Sequence, residues 1–91
     1  MTRLRFYVGG RGQTTGSAHT LLVTTFGGYT LTHSTGAWRA IDGRVHCERS
    51  RVYEVLTDSS DSAKVVAEQL ARICRQQSVL YTVEDVQGGF T

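Results

Sequence analysis

Asp42-Gly43 stands between two runs rich in β-branched and aromatic residues, 29–39 and 44–57. Asp-Gly suits a type I′ turn, in which both central residues take positive φ, so the pair predicts a hairpin of two antiparallel strands. A two-residue turn there sets Trp38 opposite Cys47, Arg39 opposite His46 and Ala37 opposite Glu48. Gly36 marks the place where a bulge would move that register by one residue. Both runs exceed the roughly five or six residues of an average strand, so the hairpin tip is expected to extend past its sheet.

The remaining segments complete an alternating order. From Arg3 to Val8, residues Leu4, Phe6 and Val8 share one face and Arg3, Arg5 and Tyr7 the other, as in a strand with one buried side. Residues 60–76 place Ala63, Val66, Ala67, Leu70, Ile73 and Cys74 at helical spacing, and 78–86 alternates again with Val79, Tyr81 and Val83 on one face. Residues 17–26 carry opposing signals. Thr20, Val23, Thr24 and Thr25 favour a strand, whereas Ala18, Leu21, Leu22, Thr25 and Phe26 fit one helical face. Ser17 as N-cap and Gly27-Gly28 as C-cap tip this segment towards a helix. The order β-α-β-β-α-β predicts an α+β, ferredoxin-like sandwich: a four-stranded antiparallel sheet with two helices on one face. Its first and third strands are expected at the centre, and its edge strands invite pairing into a dimer.

Bulk composition narrows the functional classes. With 91 residues, 40% hydrophobic and 20% charged, the chain is read as one globular domain, 1–91, small enough for self-association to matter. A net charge of +2, from nine arginines and one lysine against eight acids, is far from the basic stripe that duplex DNA requires. No apolar run is long enough to span a bilayer and no export signal opens the chain, so a soluble cytoplasmic protein is expected. Cys47 and Cys74 lack metal-ligand spacing, no familiar motif calls for a cofactor, and neither a cofactor nor a metal is expected.

Two clusters carry the chemistry. In the loop 9–16 and at the helix start after it, Gly10, Arg11, Gly12, Thr14, Thr15 and Ser17 offer backbone N–H groups, hydroxyls and one guanidinium that can hold a small anion. The simpler reading is a glycine-rich connector; it has neither the lysine of a phosphate-binding Walker loop nor the acidic residue of a dinucleotide site. On the hairpin, His33, Trp38, Arg39, His46 and Glu48 can bind a polar ligand or move a proton, beside the simpler reading of a solvated charge ladder. Arg3, Arg5 and Tyr7, with Arg11, offer a nucleotide or RNA surface, opposed by Glu48 and Glu54 if these share its face.

Phe26-Gly27-Gly28-Tyr29-Thr30, Gly36-Ala37-Trp38, Gly43, Glu48 and Gln77-Ser78-Val79 together resemble a pattern in small uncharacterised proteins of phages and actinobacteria. The resemblance covers the last two thirds of the chain. It implies a phage or actinobacterial cytoplasm and bears on fold more than on activity. The expectation is a non-catalytic binding or accessory protein, engaging a host protein partner or a small anionic ligand. The alternatives are a small enzyme using His and Glu for acid–base work, or a nucleotide- or RNA-binding module.

Overall fold

The computed structural model describes residues 1–10 and 15–91. Its elements are β1 (Thr2–Gly9), α1 (Thr15–Phe26), β2 (Thr30–Arg39), β3 (Val45–Thr57), α2 (Ala63–Ile73) and β4 (Leu80–Asp85). The four strands form one sheet in the order β2-β3-β1-β4, antiparallel at every junction. β1 and β3 are central, and β2 and β4 are the edges. This α+β arrangement of four strands and two helices fits a ferredoxin-like layout in general terms.

β1 follows its alternation. Leu4, Phe6 and Val8 are fully buried, and with Tyr53 and Val55 of β3 they form the sheet's half of the core. The other half comes from Ala18 and Leu22 of α1 and from Ala63, Val66, Ala67, Leu70 and Ala71 of α2. Both helices therefore lie on one face. The alanines of α2 keep its axis close to the strands, because a small side chain lets two backbones approach.

The ambiguous segment is helical. Its hydrophobic positions reach the core only on a helical period, and Thr20 satisfies its hydroxyl inside the helix by donating to the Gly16 carbonyl at 3.1 Å. Gly27 ends α1 with φ of +87°. Its N–H reaches the Val23 carbonyl at 2.9 Å. Ser17 is not the N-cap, since the helix already begins at Thr15 and Ser17 is an exposed residue within it.

α2 is shorter than the periodicity of 60–76 suggests. It stops at Ile73 because Arg75 adopts φ of +55°, a left-handed conformation unusual for a side chain with a Cβ. Gln76 N–H then reaches back to the Ala71 carbonyl at 2.8 Å and Arg75 N–H to the Arg72 carbonyl at 3.3 Å, closing a Schellman-type end.

The hairpin register differs by one residue from the expected one. Only Gly43 has positive φ in the turn, and the closing bonds run from Gly43 N–H to the Ala40 carbonyl and from Ala40 N–H to the Arg44 carbonyl. The connection is thus a three-residue loop, Ile41-Asp42-Gly43, with Gly43 in the left-handed bulge position rather than a two-residue type I′ turn. Asp42 Oδ1 accepts from Arg44 N–H at 3.0 Å and favours this longer loop. The pairs become Trp38 with His46, Ala37 with Cys47 and Gly36 with Glu48, in a ladder that continues without a bulge at Gly36. β1 pairs with β3 only from Ser50 onward, so the distal half of the hairpin stands beyond the sheet as an arm. The molecule is accordingly elongated, 47 × 27 × 22 Å.

Two substitutions test this account in urea unfolding. Leu22→Ala should cost about 2–5 kcal/mol, because it opens a cavity under α1, whereas the neighbouring, half-exposed Val23→Ala should change stability by less than about 0.5 kcal/mol. Arg75→Gly should raise stability by about 0.5–1 kcal/mol, since relief of the left-handed strain exceeds the extra entropy of glycine in the unfolded chain.

Candidate functional site

The face of the sheet opposite the helices carries a compact polar group. β1 sends Arg3, Arg5 and Tyr7 to this face, and the register sets them beside Leu56, Glu54 and Val52 of β3 and Glu84, Thr82 and Leu80 of β4. Arg5 Nε donates to Glu54 Oε1 at 2.9 Å, and Arg3 Nε lies 3.9 Å from the same oxygen. Arg3 Nε also donates to Glu84 Oε1 at 2.8 Å. The bond to Glu54 holds the Arg5 guanidinium above its ordinary pKa. On β2, Thr30, Thr32 and Ser34 add a row of hydroxyls along the same face, and Ser34 Oγ meets Ser50 Oγ at 2.9 Å.

Two shallow grooves lie here. The first, about 310 Å³, is lined by Arg5, Tyr7, Thr30, Thr32, Ser34, Val52 and Glu54. The second, about 360 Å³, is bordered by Phe26, Gly27, Gly28, Tyr29 and Phe90 and again by Thr30, Glu54 and Leu56. Glu54 is the carboxylate that borders both. The combined surface offers a cation and an anion in contact, a line of hydroxyls and aromatic rings at either side, which suits a small polar molecule carrying a ring.

A second unusual group lies within the helix side of the sheet. Arg51 pairs with Val8 and His33 in the ladders and is only 5% exposed. Its Nη1 donates to Tyr53 Oη at 3.0 Å, and its Nη2 lies 3.8 Å from Cys74 Sγ. Its guanidinium carbon is 5.6 Å from the Tyr53 ring centre. Nε is buried without a hydrogen-bond partner among the described residues. Burial holds the Tyr53 phenol above its ordinary pKa even though the Arg51 charge pulls in the other direction. The Tyr53 ring meets the Tyr29 ring edge-on at 5.5 Å, and Tyr29 Oη is 2.8 Å from His19 Nδ1. A series of contacts thus links His19 on α1 through Tyr29, Tyr53 and Arg51 to Cys74 at the end of α2.

The clusters expected from sequence are placed differently. Of the glycine-loop group, Arg11, Gly12 and Thr14 lie outside the described residues, and Thr15 opens α1. Gly10 is exposed with φ of +80°, and a Cβ there would stand 3.0 Å from Gln76 Nε2. The hairpin group is divided by the observed register. Trp38 stacks on His46 at 4.7 Å on one face of the arm, and Glu48 alternates onto that face. Arg39, opposite Val45, and His33, opposite Arg51, point to the other face. Glu48 instead leans over the open Cα of Gly9, its Oε1 2.9 Å from where a Cβ would be. The expected pairing of Arg39 with His46 therefore does not form. Among the described residues no three His, Cys, Asp or Glu side chains converge as metal ligands would. No helix among them is long and apolar enough to cross a membrane.

Arg51 escaped sequence reading because it occupies an inward position of a strand, where an apolar residue is the norm. The signal lay in the alternation of β3 itself: Arg51, Tyr53 and Val55 share a parity, so an arginine falls in line with two core residues.

No family model and no curated protein matches the chain. Among solved structures, a phage SAM lyase in complex with S-methyl-5′-thioadenosine is similar, with a TM-score of 0.64 and 14% sequence identity. The match covers 92% of this chain and 80% of the lyase chain. At that identity the likeness shows a shared fold.

Proposed function

We propose that the chain is a phage-encoded binding protein that takes a small, nucleoside-like molecule on the helix-free face of its sheet. The observation that carries this reading is the contact of Arg5 with Glu54 beneath the hydroxyls of Thr30, Thr32 and Ser34, beside Tyr7. A ligand with its own positive and negative groups can exchange that internal ion pair for two intermolecular ones, so neither charge is stranded on binding. A heteroaromatic base can stack on the half-buried ring of Tyr7 or against Tyr29, and ribose hydroxyls match the threonine and serine row. The grooves lie near the lower end of the ~300–1,000 Å³ typical of small-molecule sites. The thioadenosine bound by the structurally similar lyase belongs to this chemical class.

An enzymatic reading is favoured by one feature, the position of Glu54 on both grooves, where its carboxylate can act as a base on a bound molecule. Duplex or single-stranded nucleic acid fits less well, because Glu54 and Glu84 neutralise Arg3 and Arg5 on the very face that would meet phosphates.

Isothermal titration with S-methyl-5′-thioadenosine and with S-adenosylmethionine is the direct test. Saturable binding is expected, tighter for S-adenosylmethionine, which carries both signs of charge; that binding is weakened about tenfold or more in Glu54→Gln and in Tyr7→Ala, and unchanged in Lys64→Ala on the far helix. Absence of binding at millimolar ligand, together with unchanged amide resonances in β1 and β2, would overturn the reading. Release of S-methyl-5′-thioadenosine from S-adenosylmethionine by the wild-type chain, lost in Glu54→Gln, would replace a binding protein by an enzyme.

A further inference from the structure

The polar group that the exposed-face site leaves unused is Arg51. It is buried, cationic and without a carboxylate partner among the described residues. Removing a guanidinium from water is unfavourable unless its donors are met, and in Arg51 they are met only in part. Nε and Nη2 share one edge of the guanidinium, the edge that grips an oxyanion through two parallel bonds. On Arg51 this edge has Nε unbonded and Nη2 facing only the weak acceptor Cys74 Sγ at 3.8 Å. Nη1, on the other side, is fixed by Tyr53 Oη. The ring anchors the arginine and leaves its fork free.

The surroundings have the same sign preference. On β2 and β3 the positions that share the helix-side face with Arg51 include His33, Arg39 and Arg49 and contain neither Asp nor Glu. α1 has no acidic residue anywhere in its length. Glu48 and Glu54, the acids of β3, alternate to the opposite face. The group lies towards the end of the sheet. Cys74, which touches Arg51, gives its carbonyl to Gln76 Nε2 at 3.3 Å, and that amide lies against Gly10 where β1 ends.

From this unpaired fork, on a face where β2, β3 and α1 place no acid, we infer that Arg51 is the centre of an oxyanion site, taking a phosphate or carboxylate group between the end of β1 and the end of α2. The site is independent of the Arg5–Glu54 groove and uses the opposite face of the sheet.

The Nε–H resonance of Arg51 in the wild-type chain reads the site directly. Titration with inorganic phosphate at constant ionic strength should move that resonance saturably, and the phosphorus signal of the phosphate should broaden in step. A parallel titration with acetate separates the two sources: a response to phosphate alone assigns a phosphate site, and a response to both a general oxyanion site. Arg51→Met keeps the side-chain volume and removes the fork, so the phosphorus broadening should vanish. If that variant does not fold, Arg51→Lys keeps the charge and should bind at least about tenfold more weakly. An Arg51 Nε–H signal indifferent to both anions, or equal broadening by the wild type and Arg51→Met, overturns the site. Loss of thioadenosine binding at the exposed face would leave this outcome untouched, because the two sites share no residue.

Discussion

β1 is hydrogen-bonded on both sides, to β3 and to β4, and this double pairing is the constraint on which the rest depends. A central strand cannot rotate about its axis without breaking two ladders, so its alternation is imposed on its neighbours. Leu4, Phe6 and Val8 determine which side the helices cover, and Arg3, Arg5 and Tyr7 thereby determine which side stays open. The core and the groove are two readings of one strand. Any change that reversed the parity of β1 would exchange an apolar layer for two guanidinium groups.

That dependence explains why much of the layout was legible from sequence. Leu4 to Val8 and Ala63 to Leu70 repeat at periods that only one element type can bury, so β1 and α2 were readable from spacing alone. Residues 17–26 were harder, because β-branched side chains and a helical stripe occupied the same ten positions; packing of Ala18 and Leu22 on the sheet decided between them. The end of α2 was invisible, since nothing in Arg75 announces a left-handed backbone. The hairpin register was misread for a local reason: Asp-Gly suits two turn geometries, and the Asx bond from Asp42 to Arg44 N–H selects the longer.

The candidate sites follow the same division. Arg3, Arg5 and Tyr7 were recognisable as a surface, and the opposing influence of Glu54 was foreseeable, because parity alone places them. The ion pair that gives the groove its mixed character needed the register between β1 and β3, a contact across 49 residues of chain. The Arg51 environment needed more still, because it joins a strand interior to a helix terminus and no local pattern links Arg51 to Cys74. Sequence periodicity reports the side on which a residue lies, and three-dimensional closure supplies its company.

The odd number of residues in the Ile41-Asp42-Gly43 loop has one more implication. The β2–β3 ladder runs unbroken from the body into the arm, so the register set in the sheet also fixes the arm's partners up to the loop. Deleting one of its three residues would leave Ala40 opposite Arg44, Arg39 opposite Val45 and Trp38 opposite His46, with a two-residue turn closing the same ladder. The tip can therefore lose a residue while Trp38 and His46 still meet on one face of the arm and Arg39 and Val45 on the other, so that what the arm presents is inherited from the sheet and not from its turn.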